Sequence, residues 1–239
     1  MKRMLCAVTL IPHLGVDSRD GHAADASTPK DVASARMGES YYRYVYRYFS
    51  GAILRGWRGE NSRVSNESTE KAYKILHNEM IQILSMSVFY VTAAWIFGGI
   101  GLVVLVLTQA LVAAWQLTAI EYVEHYGMLR NRFPDGGYSS LGHEQIWCTG
   151  GAVNNSLLSE RQFHNHCPSQ LDPTISKTSE QPRLPIGFNL LSLLVLLPSY
   201  WFNFLHEKLA ILVDYDLTRV NLDGQAYVAL MERFHKPGQ

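Results

Sequence analysis

From Met80 to Ile120 the chain contains no Asp, Glu, Lys or Arg. That is about twice the roughly twenty apolar residues one spanning α-helix needs. Near its middle lies Gly98-Gly99-Ile100-Gly101, where missing Cβ atoms free the backbone to turn. The run predicts a hairpin of two transmembrane helices, over about 81–97 and 101–120; one very long buried helix is the competing reading. Arg55, Arg58, Arg63, Lys71 and Lys74 precede the run, Arg130 and Arg132 follow it, and its tip carries no charge. Basic flanks stay on the cytoplasmic side, so both ends of the hairpin are expected there.

Four zones follow from composition. Residues 1–38 are polar and aperiodic and read as loop. Residues 39–79 alternate aromatic and basic side chains (ESYYRYVYRYFSGAILRGWRG), the pattern of amphipathic helices lying at a membrane interface. Residues 80–120 form the hairpin. Residues 121–239 form a cytoplasmic histidine-bearing region that turns apolar again at GFNLLSLLVLLPSYWFNFLHEK. That stretch reads as a helix against the bilayer surface, broken or bent at Pro198, with a third span as the alternative. The fold class is therefore all-α and integral to a membrane. The formal net charge is zero, which gives no reason to expect nucleic acid as a partner. Cys6, Cys148 and Cys167 are widely spaced with no C-x-x-C pair, which excludes a zinc ribbon and suggests a reducing setting. The start, MKRMLCAVTLIPHLG, resembles a signal peptide only weakly.

The chemistry concentrates in histidine. His13, His22, His125, His143, His164 and His166 fall in the zones flanking the hairpin and could meet on one face of a membrane. Imidazoles suit iron, copper and zinc. In TAIEYVEHYGMLRNR, Glu121 and His125 are four apart and share a helix face, so Glu121 can orient the His125 ring or ligate directly. A solvated polar cap is the plainer reading. His164 and His166, in QFHNHC, can serve one centre only if that segment is extended or a loop. HEQIW at His143 and HEKLA at His206 lack the second histidine of a zinc-protease helix, and no nucleophile elbow or phosphate loop is present.

EYVEHYGMLR resembles the N-Y-x-E-H-Y-G-L motif of the membrane alkane 1-monooxygenases, relatives of xylene monooxygenase and, more distantly, of membrane fatty-acid desaturases. GHAADASTPKDVASARMGESYYR is similar to that family's G-H-H-x-x-x-A-T-P-x-D-x-A-S-A-R-x-G-E-S-x-Y-R, and LHNEM and QPRLPIGF match further features in the same order. The resemblance implies an integral membrane enzyme with two irons held by histidines, using dioxygen and electrons from a rubredoxin-type donor. It hydroxylates the terminal methyl of alkanes or fatty acyl chains. It implies His22, His125, His164 and His166 as iron ligands, with Glu121 and Glu124 supporting them.

The departures from that pattern carry equal weight. The second histidine box, E-H-x-x-G-H-H, falls on Asp17-Ser18-Arg19-Asp20-Gly21-His22-Ala23, keeping His22 alone. The last, Q-R-H-S-D-H-H, meets Gln162-Phe163-His164-Asn165-His166-Cys167. The first, H-E-x-x-H-K, has no match, so an N-terminally truncated relative is expected. Two irons need more imidazoles than these four, and the expected consequence is impaired or absent turnover. A non-catalytic membrane fragment or subunit pairing with an intact homologue, and a desaturase-like lipid enzyme, are the alternatives.

Overall fold

A computed structural model describes residues 2–17, 21–149 and 182–234, and it is almost wholly helical. The helices are α1 (Lys2–Val8), α2 (Pro12–Asp17), α3 (Ala23–Asp25), α4 (Tyr41–Glu67), α5 (Lys71–His77), α6 (Glu79–His125), α7 (Phe188–Leu194), α8 (Pro198–Leu212) and α9 (Tyr227–Phe234). Two residues each of β1 (Cys148–Thr149) and β2 (Arg183–Leu184) pair in parallel. The chain forms two compact units. One comprises Met1–Ala24 with Arg47–Thr118, the other Asp25–Tyr46 with Ala119–Gln239.

In the first unit, α1 and α2 occupy part of the zone read as loop. Neither is long enough to be stable alone. Burial holds them: Cys6 and Ala7 pack with Ile83, with Leu14 and Met86 at the edge of the cluster. The Ser87 hydroxyl donates to the Ala7 carbonyl at 3.0 Å. Arg3 binds both Glu79 (3.1 Å) and Gln82 (2.9 Å). These contacts join residues about eighty positions apart, which no local pattern reveals.

The start of α6 is firmly fixed. Asn78 accepts from the Ile81 N–H at 3.1 Å, an N-cap bond. The buried Glu60 carboxylate takes the Glu79 N–H at 2.8 Å and pairs with Arg63. Arg63 in turn reaches the His77 carbonyl at 2.8 Å. A carboxylate beside a helix N-terminus also meets the positive end of the macrodipole.

Within α6 the backbone leaves the helical region at Gly99, with φ 59° and ψ −154°. A Cβ added at Gly98 would lie 2.5 Å from that of Leu102. Residues four apart on a regular helix stand about 5–6 Å apart at Cβ. The chain therefore bends sharply at the glycine cluster, where the sequence placed the turn. α6 is long and apolar enough to cross a membrane, and only 11% of its most apolar window is buried. Phe89, Ile96, Phe97 and Leu111 are each at least 70% exposed. A soluble core helix would bury them, so this surface matches a lipid environment.

The second unit is built on aromatic packing. Tyr44, Tyr122, Tyr126 and Trp201 are all buried, with Tyr122 5.1 Å from Tyr44 and 5.6 Å from Trp201 between ring centroids. Met37 and Asn221–Asp223 exchange backbone bonds of 2.8 and 3.0 Å, and Arg43 grips Asp223 at 2.9 and 3.3 Å. The apolar stretch near the C-terminus breaks before Pro198, which opens α8 where no N–H is needed. Cys6 is buried, whereas Cys148 is disulfide-bonded.

A Gly99→Val substitution, which forces a β-branched side chain to positive φ, is expected to destabilise the protein by about 1–3 kcal/mol. Thermal unfolding in detergent checks this.

Candidate functional site

His125 ends α6 and is fully buried. Its surroundings follow from the segment Ala26-Ser27-Thr28, where Ser27 sits at φ 55°. That strained backbone is held by neighbours. The Ser27 N–H donates to the Ser34 hydroxyl at 2.7 Å, Ser34 donates to Asp31 at 2.7 Å, and the Ser27 carbonyl accepts from the Arg130 N–H at 2.9 Å. The Ser27 side chain is thereby aimed at the His125 ring.

The tautomer of His125 follows from counting protons. Ser27 Oγ donates to the Gln145 carbonyl at 2.9 Å and lies 3.0 Å from His125 Nδ1. A carbonyl cannot donate and a hydroxyl has one proton, so Oγ must accept from Nδ1–H. A neutral His125 then carries its lone pair on Nε2. That nitrogen faces Glu121 Oε2 at 4.0 Å, across one helical turn. Glu121 is also buried. An imidazole lone pair and a carboxylate oxygen directed together into a buried space suit a cation between them. Metal–nitrogen and metal–oxygen bonds of about 2.0–2.2 Å, the values for zinc, span that separation. The donor types are those of an imidazole–carboxylate metal site.

The turn after His125 is shaped by Gly127, at φ 71°. Its N–H donates to the Ala35 carbonyl at 2.9 Å and its carbonyl accepts from Asn221 at 3.0 Å. A Cβ there would collide with Leu209. Tyr126 is a second fixed point. Its hydroxyl accepts from the Gly38 N–H at 2.8 Å and shares a hydrogen bond of 2.9 Å with His206 Nε2. Burial, with Arg233 nearby, lowers the His206 pKa to about 4 and keeps that ring neutral. Tyr122 donates to the Glu39 carbonyl at 2.6 Å. The indole of Trp147 donates to the Tyr126 carbonyl at 3.0 Å.

Of the residues singled out from sequence, Glu121 and His125 come together as their spacing required. Glu124 is half-buried on a different side of the helix, and its carbonyl accepts from the Trp147 N–H at 2.9 Å. His22 is buried in the first unit. His164 and His166 lie outside the described residues. Ser27 and Gln145 were missed. Ser27 stands inside the quoted motif ASTPKD, which was a signal; Gln145 acts through a carbonyl every residue has.

Replacing Ser27 with Ala removes the acceptor for Nδ1–H. In histidine-selective ¹⁵N NMR on metal-free protein, His125 should lose its single Nδ1–H tautomer and become a mixture. Acid should also weaken the fold through His206. Its unfolded ring binds a proton below about pH 6.5 but its folded ring only near pH 4, so stability is full above 6.5 and drains between the two. The loss should be on the order of 3 kcal/mol. Denaturant unfolding of wild type and His206→Gln across that window should show a smaller drop in the variant.

A fatty acid desaturase family profile matches residues 19–169. The chain is 30% identical over 238 residues to alkane 1-monooxygenase of Ectopseudomonas oleovorans, covering 98% of this chain and 59% of that protein. It is 31% identical over 205 residues to alkane 1-monooxygenase 1 of Pseudomonas aeruginosa, covering 83% and 52%. It is 28% identical over 225 residues to alkane 1-monooxygenase 1 of Alcanivorax borkumensis, covering 93% and 55%. The chain thus spans between half and three-fifths of the length of these relatives. The chain belongs to the fatty acid desaturase family, with the alkane 1-monooxygenases among its relatives.

Proposed function

We propose that the protein is a membrane non-haem iron monooxygenase-like protein acting on the terminal methyl of alkanes or fatty acyl chains. The observation that carries this is the His125–Glu121 pair, with Nε2 prepared as a donor by the Ser27 bond. His125 would hold iron through Nε2 and Glu121 through a carboxylate oxygen. His22, His164 and His166 are further ligands by their places in the motifs, and Glu124 supports the site. Iron, when bound, would supply the redox chemistry that uses dioxygen. The protein's own residues do the rest: Ser27 and Gln145 hold the ring and its proton, and the Tyr122–Tyr126–Trp201 packing keeps water from the α6 terminus. A second iron, a rubredoxin-type electron donor and a cytoplasmic orientation of these histidines complete the reading. So does a two-helix hairpin across the bilayer, bent at Gly99.

A second reading has its own support. Ser18 and Ala23 stand where the related box has histidine, and neither can replace an imidazole. On this reading the chain binds less than a full complement of iron and is impaired, or serves as a non-catalytic subunit beside an intact homologue. A desaturase-like lipid reaction is a further alternative.

Purified full-length protein, reconstituted with ferrous iron without oxygen and then desalted, distinguishes them. The proposal expects retained iron that falls at least about tenfold in His125→Ala, and oxygen-dependent octanol formation from octane with a reducing system. Iron without turnover selects the impaired reading. No retained iron in the wild type overturns the metal site.

A further inference from the structure

HEQIW lacks the second histidine of a zinc-protease helix, yet in the fold its last three residues run beside the end of α6. Gln145, Ile146 and Trp147 are 4, 2 and 3% exposed, and all belong to the second unit. The Gln145 side chain turns back on its own segment, accepting from the Gly142 N–H at 2.6 Å and donating to Glu144 at 2.7 Å. After Trp147 the chain enters β1, which pairs with β2, and the Cys148 N–H donates to the Pro182 carbonyl at 2.9 Å. The short strap 145–147 is therefore held at both ends.

The last carbonyls of a helix have no partner within it and must find one outside. Trp147 meets two carbonyls at this end of α6. Its backbone N–H donates to Glu124 at 2.9 Å and its indole N–H to Tyr126 at 3.0 Å. These are the residues immediately before and after His125, whose own carbonyl accepts from the Met128 N–H at 3.1 Å. The Gln145 carbonyl, two residues earlier in the strap, takes the Ser27 proton at 2.9 Å and so governs the His125 ring. One three-residue segment thus holds the backbone on both sides of His125 and, through Ser27, its imidazole. Of these bonds only the indole one depends on the identity of a strap side chain. An indole N–H donates and cannot accept. A phenylalanine there would fill most of the space and remove that donor from a buried carbonyl.

We propose that Trp147 is a positioning residue for His125: its indole bond to the Tyr126 carbonyl fixes the backbone from which the ring projects, and so sets how well Nε2 meets iron. The metal half of this assignment rests on the reading of His125 as a ligand; the hold on the ring does not. Groups that orient a metal ligand without touching the metal are commonly worth ten- to a hundredfold in affinity.

The test uses full-length protein with Trp147→Phe, and with 3-benzothienylalanine at the same position, which keeps nearly the indole shape and puts sulfur where the N–H was. In histidine-selective ¹⁵N NMR on metal-free protein, the His125 resonances should shift in both variants, while the benzothienyl form unfolds thermally as the wild type does. Ferrous-iron affinity, measured anaerobically against a competing chelator, should fall about tenfold in both. Trp147→Phe added to His125→Ala should cost no further affinity, because the two changes act on one ligand. Unmoved His125 resonances in the benzothienyl form would overturn the proposal. So would an equal loss of iron affinity from Trp147→Phe with and without His125. A wild type that binds no iron removes the metal reading instead, and the NMR comparison then decides the role of Trp147 by itself.

Discussion

A serine hydroxyl has one proton to give, and at Ser27 its destination determines the chemistry of the buried end of α6. The proton goes to the Gln145 carbonyl, so the oxygen can only accept from His125 Nδ1. The imidazole is then fixed in orientation and tautomer by neutral groups, without a charge of its own partner. Ser27 can do this only because its backbone is held at positive φ by Ser34 and Arg130. Unstrained, the hydroxyl would swing away. The cost of that conformation is carried by a hydrogen-bond network whose members are nearly all buried, where such bonds are strongest and their loss most expensive.

The aromatic cluster around Tyr122 and Tyr126 performs a parallel task on the opposite flank. Each tyrosine hydroxyl has a backbone partner in the segment Gly38–Glu39, so a stretch without regular structure is tied to α6 by side chains. Gly127 then lets the chain leave the helix directly under Leu209, and Asn221 closes the turn from the other side. The motif EHYG thus reads as one device. Glu and His share a helix face, Tyr anchors that helix, and Gly permits the exit.

Much of this was legible beforehand because it depends on local rules. An uncharged run with a glycine cluster specifies a long apolar helix with a break, and Pro198 marks the start of α8. The four-residue spacing of Glu121 and His125 fixes their common face. What could not be read depends on partners remote in sequence. α1 and α2 are helical because Ile83 and Ser87 bury them. His13 looks like any polar-zone histidine until Phe49 and Met80 are seen around it. Gln145 contributes a carbonyl, which leaves no trace in a residue's identity.

The arrangement at the start of α6 has one more result. Glu60, buried and paired with Arg63, receives the Glu79 N–H, so a carboxylate of α4 is pinned to the end of the apolar helix. Sliding α6 along its own axis, deeper into or out of a bilayer, would drag that ionised group with it or strip its partners. Either is costly enough to act as a mechanical stop, and the helix is anchored against piston motion at the end where its hydrophobic surface begins.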